Sequence, residues 1–110
     1  MSDIREARKA LVTRILEGGG EASRSQRRAA FDNAETAEPV RTLIQKVALH
    51  AHEVTDDDVA AARKSGLNED QIFELVVCAA IGQATRQHDS ALAALAAATG
   101  RDEHAPRDPR

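Results

Sequence analysis

The sequence predicts an all-α protein of five to six helices. Apolar residues recur at three- and four-residue spacing. Alanine is abundant while β-branched residues are few, and cap residues stand ahead of the apolar segments. No strand alternation, internal repeat or Gly-rich phosphate loop is legible. At 110 residues the chain is one domain. Residues 1–100 are expected to form it, and 101–110, RDEHAPRDPR, reads as a disordered tail.

The first helix is expected from about Asp3 to Glu17. Ser2 caps it, and Ile4, Ala7, Leu11, Val12, Ile15 and Leu16 form its apolar stripe. Gly18, Gly19 and Gly20 stop it through backbone entropy. A short second helix is expected from Ser25 to Asp32, then a polar loop from Asn33 to Glu38. The third starts at Pro39, carries Val40, Leu43, Ile44, Val47, Ala48 and Ala51 on one face, and ends near His52 or Glu53.

Thr55 caps the fourth helix, whose first turn, Asp56, Asp57 and Asp58, suits the positive end of the dipole. Gly66 is its left-handed stop, and Leu67 folds back after it. Asn68 and Gln71 form a capping box for the fifth. From Ile72 to Ile81 only Glu74 interrupts an apolar run. Such a segment needs cover on nearly all sides, which points to a subunit interface. Gly82 marks a kink or a close helix contact. The pattern resumes at Ala84, His88, Ala91, Leu92, Leu95 and Ala96.

A net charge of −3 leaves no electrostatic case for nucleic acid. The cluster Arg24, Arg27 and Arg28 is offset by Glu21, Asp32 and Glu35. No apolar run approaches the roughly 20 residues that span a bilayer, and the charged start, MSDIREARK, is unlike a signal peptide. The expected location is the cytoplasm. Cys78 is the single cysteine. Set among Val76, Val77, Ala79 and Ala80, it reads as a small buried hydrophobe rather than a reactive thiol.

Six residues carry candidate acid–base or metal chemistry. His50 and His52 point about 200° apart on a helix, so they share a metal only if the chain unwinds after His50. His88 and Asp89 would then add ligands for zinc or copper. Otherwise no cofactor is expected. Lys46 lies one turn before His50 and can form an acid–base pair with it. Asp58 belongs to an acidic run without the spacing of a calcium loop.

From Leu43 to Ala96 the chain resembles the carboxymuconolactone decarboxylase and alkylhydroperoxidase D-like family. The carrying segment is DDDVAAARKSGLNEDQIFELVVCAAIG, Asp56 to Gly82, with Ala62, Arg63, Gly66 and Leu67, then Asn68, then Asp70, Gln71 and Ile72. The resemblance covers about half the chain and concerns the scaffold, a family-like core of about residues 40–98. It implies an alkylhydroperoxidase D-like helical bundle that assembles as a homotrimer or homohexamer. Family peroxidases carry Cys-x-x-Cys, a histidine and a relay glutamate. Those positions fall here on Ala51 and Val54, on Asp58, and near Pro39 beside Glu38.

A thiol peroxidase needs a nucleophilic thiolate and a resolving partner, so that activity is not expected. The decarboxylase branch needs no cysteines, and the resemblance places His50, His52, Lys46 and Asp58 near its site. Two main readings and a third follow. One is a non-redox oligomeric scaffold that binds a small molecule near His50, His52 and Asp58. The other is a cofactor-free acid–base enzyme acting on a small lactone or carboxylic acid through His50, Lys46 and Asp58. A metal-binding protein through His50, His52 and His88 is the third.

Overall fold

A computed structural model describes residues 2–100, with side chains from Ile4 onward. The tail 101–110 lies outside it, as does the Ser2 side chain on which the expected cap depends, while the Ser2 backbone already belongs to the first helix. Five α-helices follow in order: α1 (Ser2–Glu17), α2 (Arg24–Asp32), α3 (Val40–Leu49), α4 (Asp56–Lys64) and α5 (Glu69–Thr99). A single 3-10 turn, Ala51–Glu53, joins α3 to α4. The described residues contain no strand, and none of their helices is long and apolar enough to cross a membrane.

Three of these helices open on a capping box. In α2, Ser23 Oγ accepts from the Gln26 N–H and Gln26 Oε1 accepts from the Ser23 N–H. Thr55 with Asp58 does the same for α4, and Asn68 with Gln71 for α5. Each box satisfies donors that a helix start leaves bare. The box at Ser23 starts α2 earlier than the expected Ser25.

α3 ends earlier than expected, at Leu49. His50 leaves the helical region at φ −148°, ψ 57°. The 3-10 turn then brings Val54 into the core and sets Thr55 as the cap of α4. Pro39 is the N-cap rather than the first residue of α3. Glu38 completes that cap, accepting from the Thr42 N–H and hydroxyl at 3.2 and 2.7 Å. Gly66 at φ +115° stops α4, and Leu67 folds back onto the core.

α5 is the spine and touches each of the other four helices. One side of its first half joins Leu75, Cys78 and Ala79 to Leu16, Ala22, Ala30, Phe31 and Ile44. Another joins Ile72 to Leu43 and Ala62. Leu67 and Val47 pack against both clusters. Much of the cover that the apolar run demands therefore comes from the chain itself.

Gly82 is a close contact and not a kink, since α5 runs through it unbroken. A Cβ there would stand 1.9 Å from the Phe31 carbonyl oxygen. Arg86, one turn on, donates to the same oxygen at 2.5 Å.

At about 1.5 Å per residue the 31 residues of α5 span about 46 Å, and the longest molecular axis is 60 Å. α1 runs antiparallel to α5: Ile15 faces Cys78, and Arg8 faces His88 and Asp89. Beyond Arg86 the residues of α5 are exposed except Ala96, which is half-buried. The radius of gyration, 17.1 Å, exceeds the roughly 13 Å of a compact chain this long.

Gly82→Ala is expected to lower the unfolding free energy by about 1–3 kcal/mol, because the new methyl meets backbone that can yield only by separating α2 from α5. Urea denaturation read by circular dichroism checks this; an unchanged midpoint would contradict the packing.

Candidate functional site

Lys46 and Asp58 meet where α3 packs against α4. Lys46 Nζ donates to Asp58 Oδ2 at 2.9 Å. The same oxygen accepts from the Thr55 N–H at 2.9 Å and the Thr55 hydroxyl at 3.1 Å. The Lys46 hydrogen bond, then those of Thr55, hold the Asp58 carboxyl below its ordinary value. Asp58 thus caps α4 and ties it to α3.

His50 closes α3 through its backbone, donating its N–H to the Lys46 carbonyl at 2.7 Å. Its side chain is exposed and stands edge-on to His52, ring centroids 6.4 Å apart. The chain does unwind at His50, yet His52 stays exposed and lies 3.7 Å from Glu53.

The expected metal set of His50, His52 and His88 is not assembled. Among the described residues no three His, Cys, Asp or Glu side chains form a group able to hold a metal ion. His88 belongs to the second half of α5, where its Nδ1 lies 2.9 Å from Arg8 Nη1. His50 and His52 sit on the separate junction between α3 and α4.

Of the positions that resemblance assigns to redox groups, Ala51 is exposed and Val54 packs in the smaller cluster. Asp58 and Glu38 are both helix caps. Cys78 is 1% exposed, with its thiol 3.7 Å from the Ile15 carbonyl oxygen. Burial pushes that thiol up, against a partial offset from Arg27.

A mostly apolar concavity lies elsewhere, between α1, α2 and α5. It has a volume of about 390 Å³, with walls from Leu11, Ile15, Phe73, Val77 and Cys78. Arg14, Gly19, Arg27 and Glu74 complete its lining. Arg27 is only 5% exposed. Its Nη1 donates to the carbonyls of Ile15 and Gly18 at 3.2 and 2.7 Å, closing the C-terminal end of α1. Glu74 accepts the N–H groups of Glu21 and Ala22, both at 2.8 Å, one on each oxygen. Those bonds hold Glu74 below its ordinary value, Glu21 contributing most. A Cβ at Gly20 would stand 2.7 Å from Glu74 Oε1, so the loop's glycine admits the carboxylate.

Sequence reasoning passed over Arg27 and Glu74. Glu74 had a signal, as the sole charge in the run from Ile72 to Ile81, because a carboxylate there must find donors. Arg27 had none, standing in an ordinary charged stretch.

Comparison of the chain with protein-family models, with curated proteins and with solved structures finds no match. The described residues define a small all-α protein of five α-helices.

Glu74 and Asp58, both held below their ordinary values, contribute stability that is present above those values and lost as pH falls through the lowered ones. The urea midpoint is expected to hold at neutral pH and to fall below about pH 4.5, the ordinary value for Glu74. Glu74→Gln should have a lower midpoint at pH 7 and a shallower acid decline. An identical acid decline in Glu74→Gln and the parent would rule out the role given to Glu74.

Proposed function

We propose that the chain is a self-associating helical scaffold without thiol redox chemistry, related in architecture to the carboxymuconolactone decarboxylase and alkylhydroperoxidase D-like proteins. The second half of α5 carries the reading. Leu92 and Leu95, 49% and 60% exposed, lie three residues apart and so share one side of that helix. The antiparallel register places Ile4 of α1, 66% exposed, toward the same end. Apolar side chains grouped at one end of a small protein mark an association surface. Further copies of the chain supply the apolar partner surface, and a contact repeated around a rotation axis closes the assembly.

The helix-stop-helix junction supports the family architecture. Gly66 takes the left-handed conformation, Leu67 packs inward and Asn68 caps α5, at the residues that carry the resemblance.

A second reading, an acid–base enzyme acting on a small lactone or carboxylic acid, rests on the contact of Lys46 with Asp58 beside His50. It requires His50→Ala to abolish turnover while the assembly stays intact.

Native mass spectrometry and light scattering on the parent chain are expected to give a closed homo-oligomer, a trimer or hexamer. The double variant Leu92→Glu, Leu95→Glu should be monomeric with its helical circular dichroism retained. Val76 is a poor probe of the interface because it packs within the smaller intramolecular cluster. A parent chain that stays monomeric at high concentration would end the proposal.

A further inference from the structure

We propose that the cavity between α1, α2 and α5 binds a small amphipathic carboxylate, its head group paired with Arg27 and its apolar body against Leu11, Ile15, Phe73 and Val77. The volume, about 390 Å³, falls in the range of small-molecule sites, about 300–1,000 Å³. The composition fits as well, with mostly apolar walls and a few charged groups.

Arg27 supplies the main argument. Among the described residues no carboxylate lies within ion-pair range of it, although it is almost fully buried. A buried guanidinium ordinarily has an anionic partner. Both of its hydrogen bonds leave from Nη1, and its buried Nε has no partner among the described residues. Glu74, the one acid lining the cavity, is engaged by the amides of Glu21 and Ala22. The guanidinium acts on Glu74 only through space and makes no direct ion pair among the described residues, so its charge is open to an incoming carboxylate, the group its planar fork fits best. Arg14 adds a second cation to the lining. A neutral ligand of the same shape would leave Arg27 as it is and gain only the apolar contact.

Leu92 and Leu95 do not line this cavity, so the site is independent of the assembly proposed above.

The test uses the full chain in its native assembly state. Octanoate and 1-octanol, of equal chain length, are titrated by calorimetry, and the site is located by amide chemical shifts. Octanoate is expected to bind saturably, with one equivalent per chain, and 1-octanol about tenfold or more weaker, the gain of one charge-assisted pair. Shifts should centre on Gly19, Val77 and Cys78. Arg27→Gln should remove the preference for octanoate. Because Arg27 also closes α1, Arg14→Gln is the second variant, expected to weaken octanoate and leave 1-octanol unchanged. Absence of saturable octanoate binding, equal affinity for the two ligands, or shifts centred on Leu92 and Leu95 would each overturn the proposal.

Discussion

The backbone of α2 lies against α5 at Gly82, with the Phe31 carbonyl where a side chain would otherwise stand. That approach lets Phe31, Ala30 and Ala22 share a core with Leu75, Cys78 and Ala79. Charged side chains then secure the ends of the elements. Arg86 takes the Phe31 carbonyl, Glu74 the two amides ahead of α2, and Arg27 the last carbonyls of α1. Each pairs a full charge with backbone groups at or beside a helix end that no intrahelical bond satisfies. A small chain with two phenylalanines and no tryptophan or tyrosine has little apolar bulk to spare. Here close backbone approach and charged caps do much of what large aromatic side chains do in other cores.

The same economy separates the two places where chemistry was sought. At the α3–α4 junction Lys46, Thr55 and Asp58 are bonded to one another, and the histidines stand outside in solvent. Hydrogen bonds that hold a helix start are available to a substrate only if the start is given up. At the α1–α2–α5 cavity the carboxylate is again occupied by backbone, and the guanidinium, although its charge acts on Glu74 through space, has no carboxylate at ion-pair distance among the described residues. The asymmetry distinguishes a cavity that can select a charge from a junction that is complete in itself.

α5 serves two purposes along its length. Its first half is wrapped by four helices and forms the core; beyond Arg86 it runs on alongside α1, with its residues largely exposed. An isolated amphipathic helix gains little from propensity alone. The stretch that keeps Leu92 and Leu95 on one side while leaving the body is the surface on which the proposed assembly rests. This surface and the cavity draw on different residues of α1 and α5, so the proposed assembly and the proposed ligand binding can be tested separately.

Local signals stood out in the sequence because they act over three or four residues. The cap residues Thr55, Asn68 and Gln71, the stop at Gly66, the inward turn of Leu67 and the apolar stripe of α3 can each be read without knowing what lies nearby. Gly82 announced a contact or a kink, and only the position of Phe31 decided between them. His50, His52 and His88 are alike in kind but form no common group, because His50 and His52 flank the α3–α4 junction while His88 lies against Arg8 of α1. Arg27 and Glu74 owe their importance to carbonyls and amides contributed by other segments. By itself the sequence determined the helices, their caps and the absence of paired thiols, all of which follow from local backbone energetics and residue identity. Tertiary structure alone decided which charges are buried and which partners they meet, because desolvation and pairing depend on elements distant in the chain.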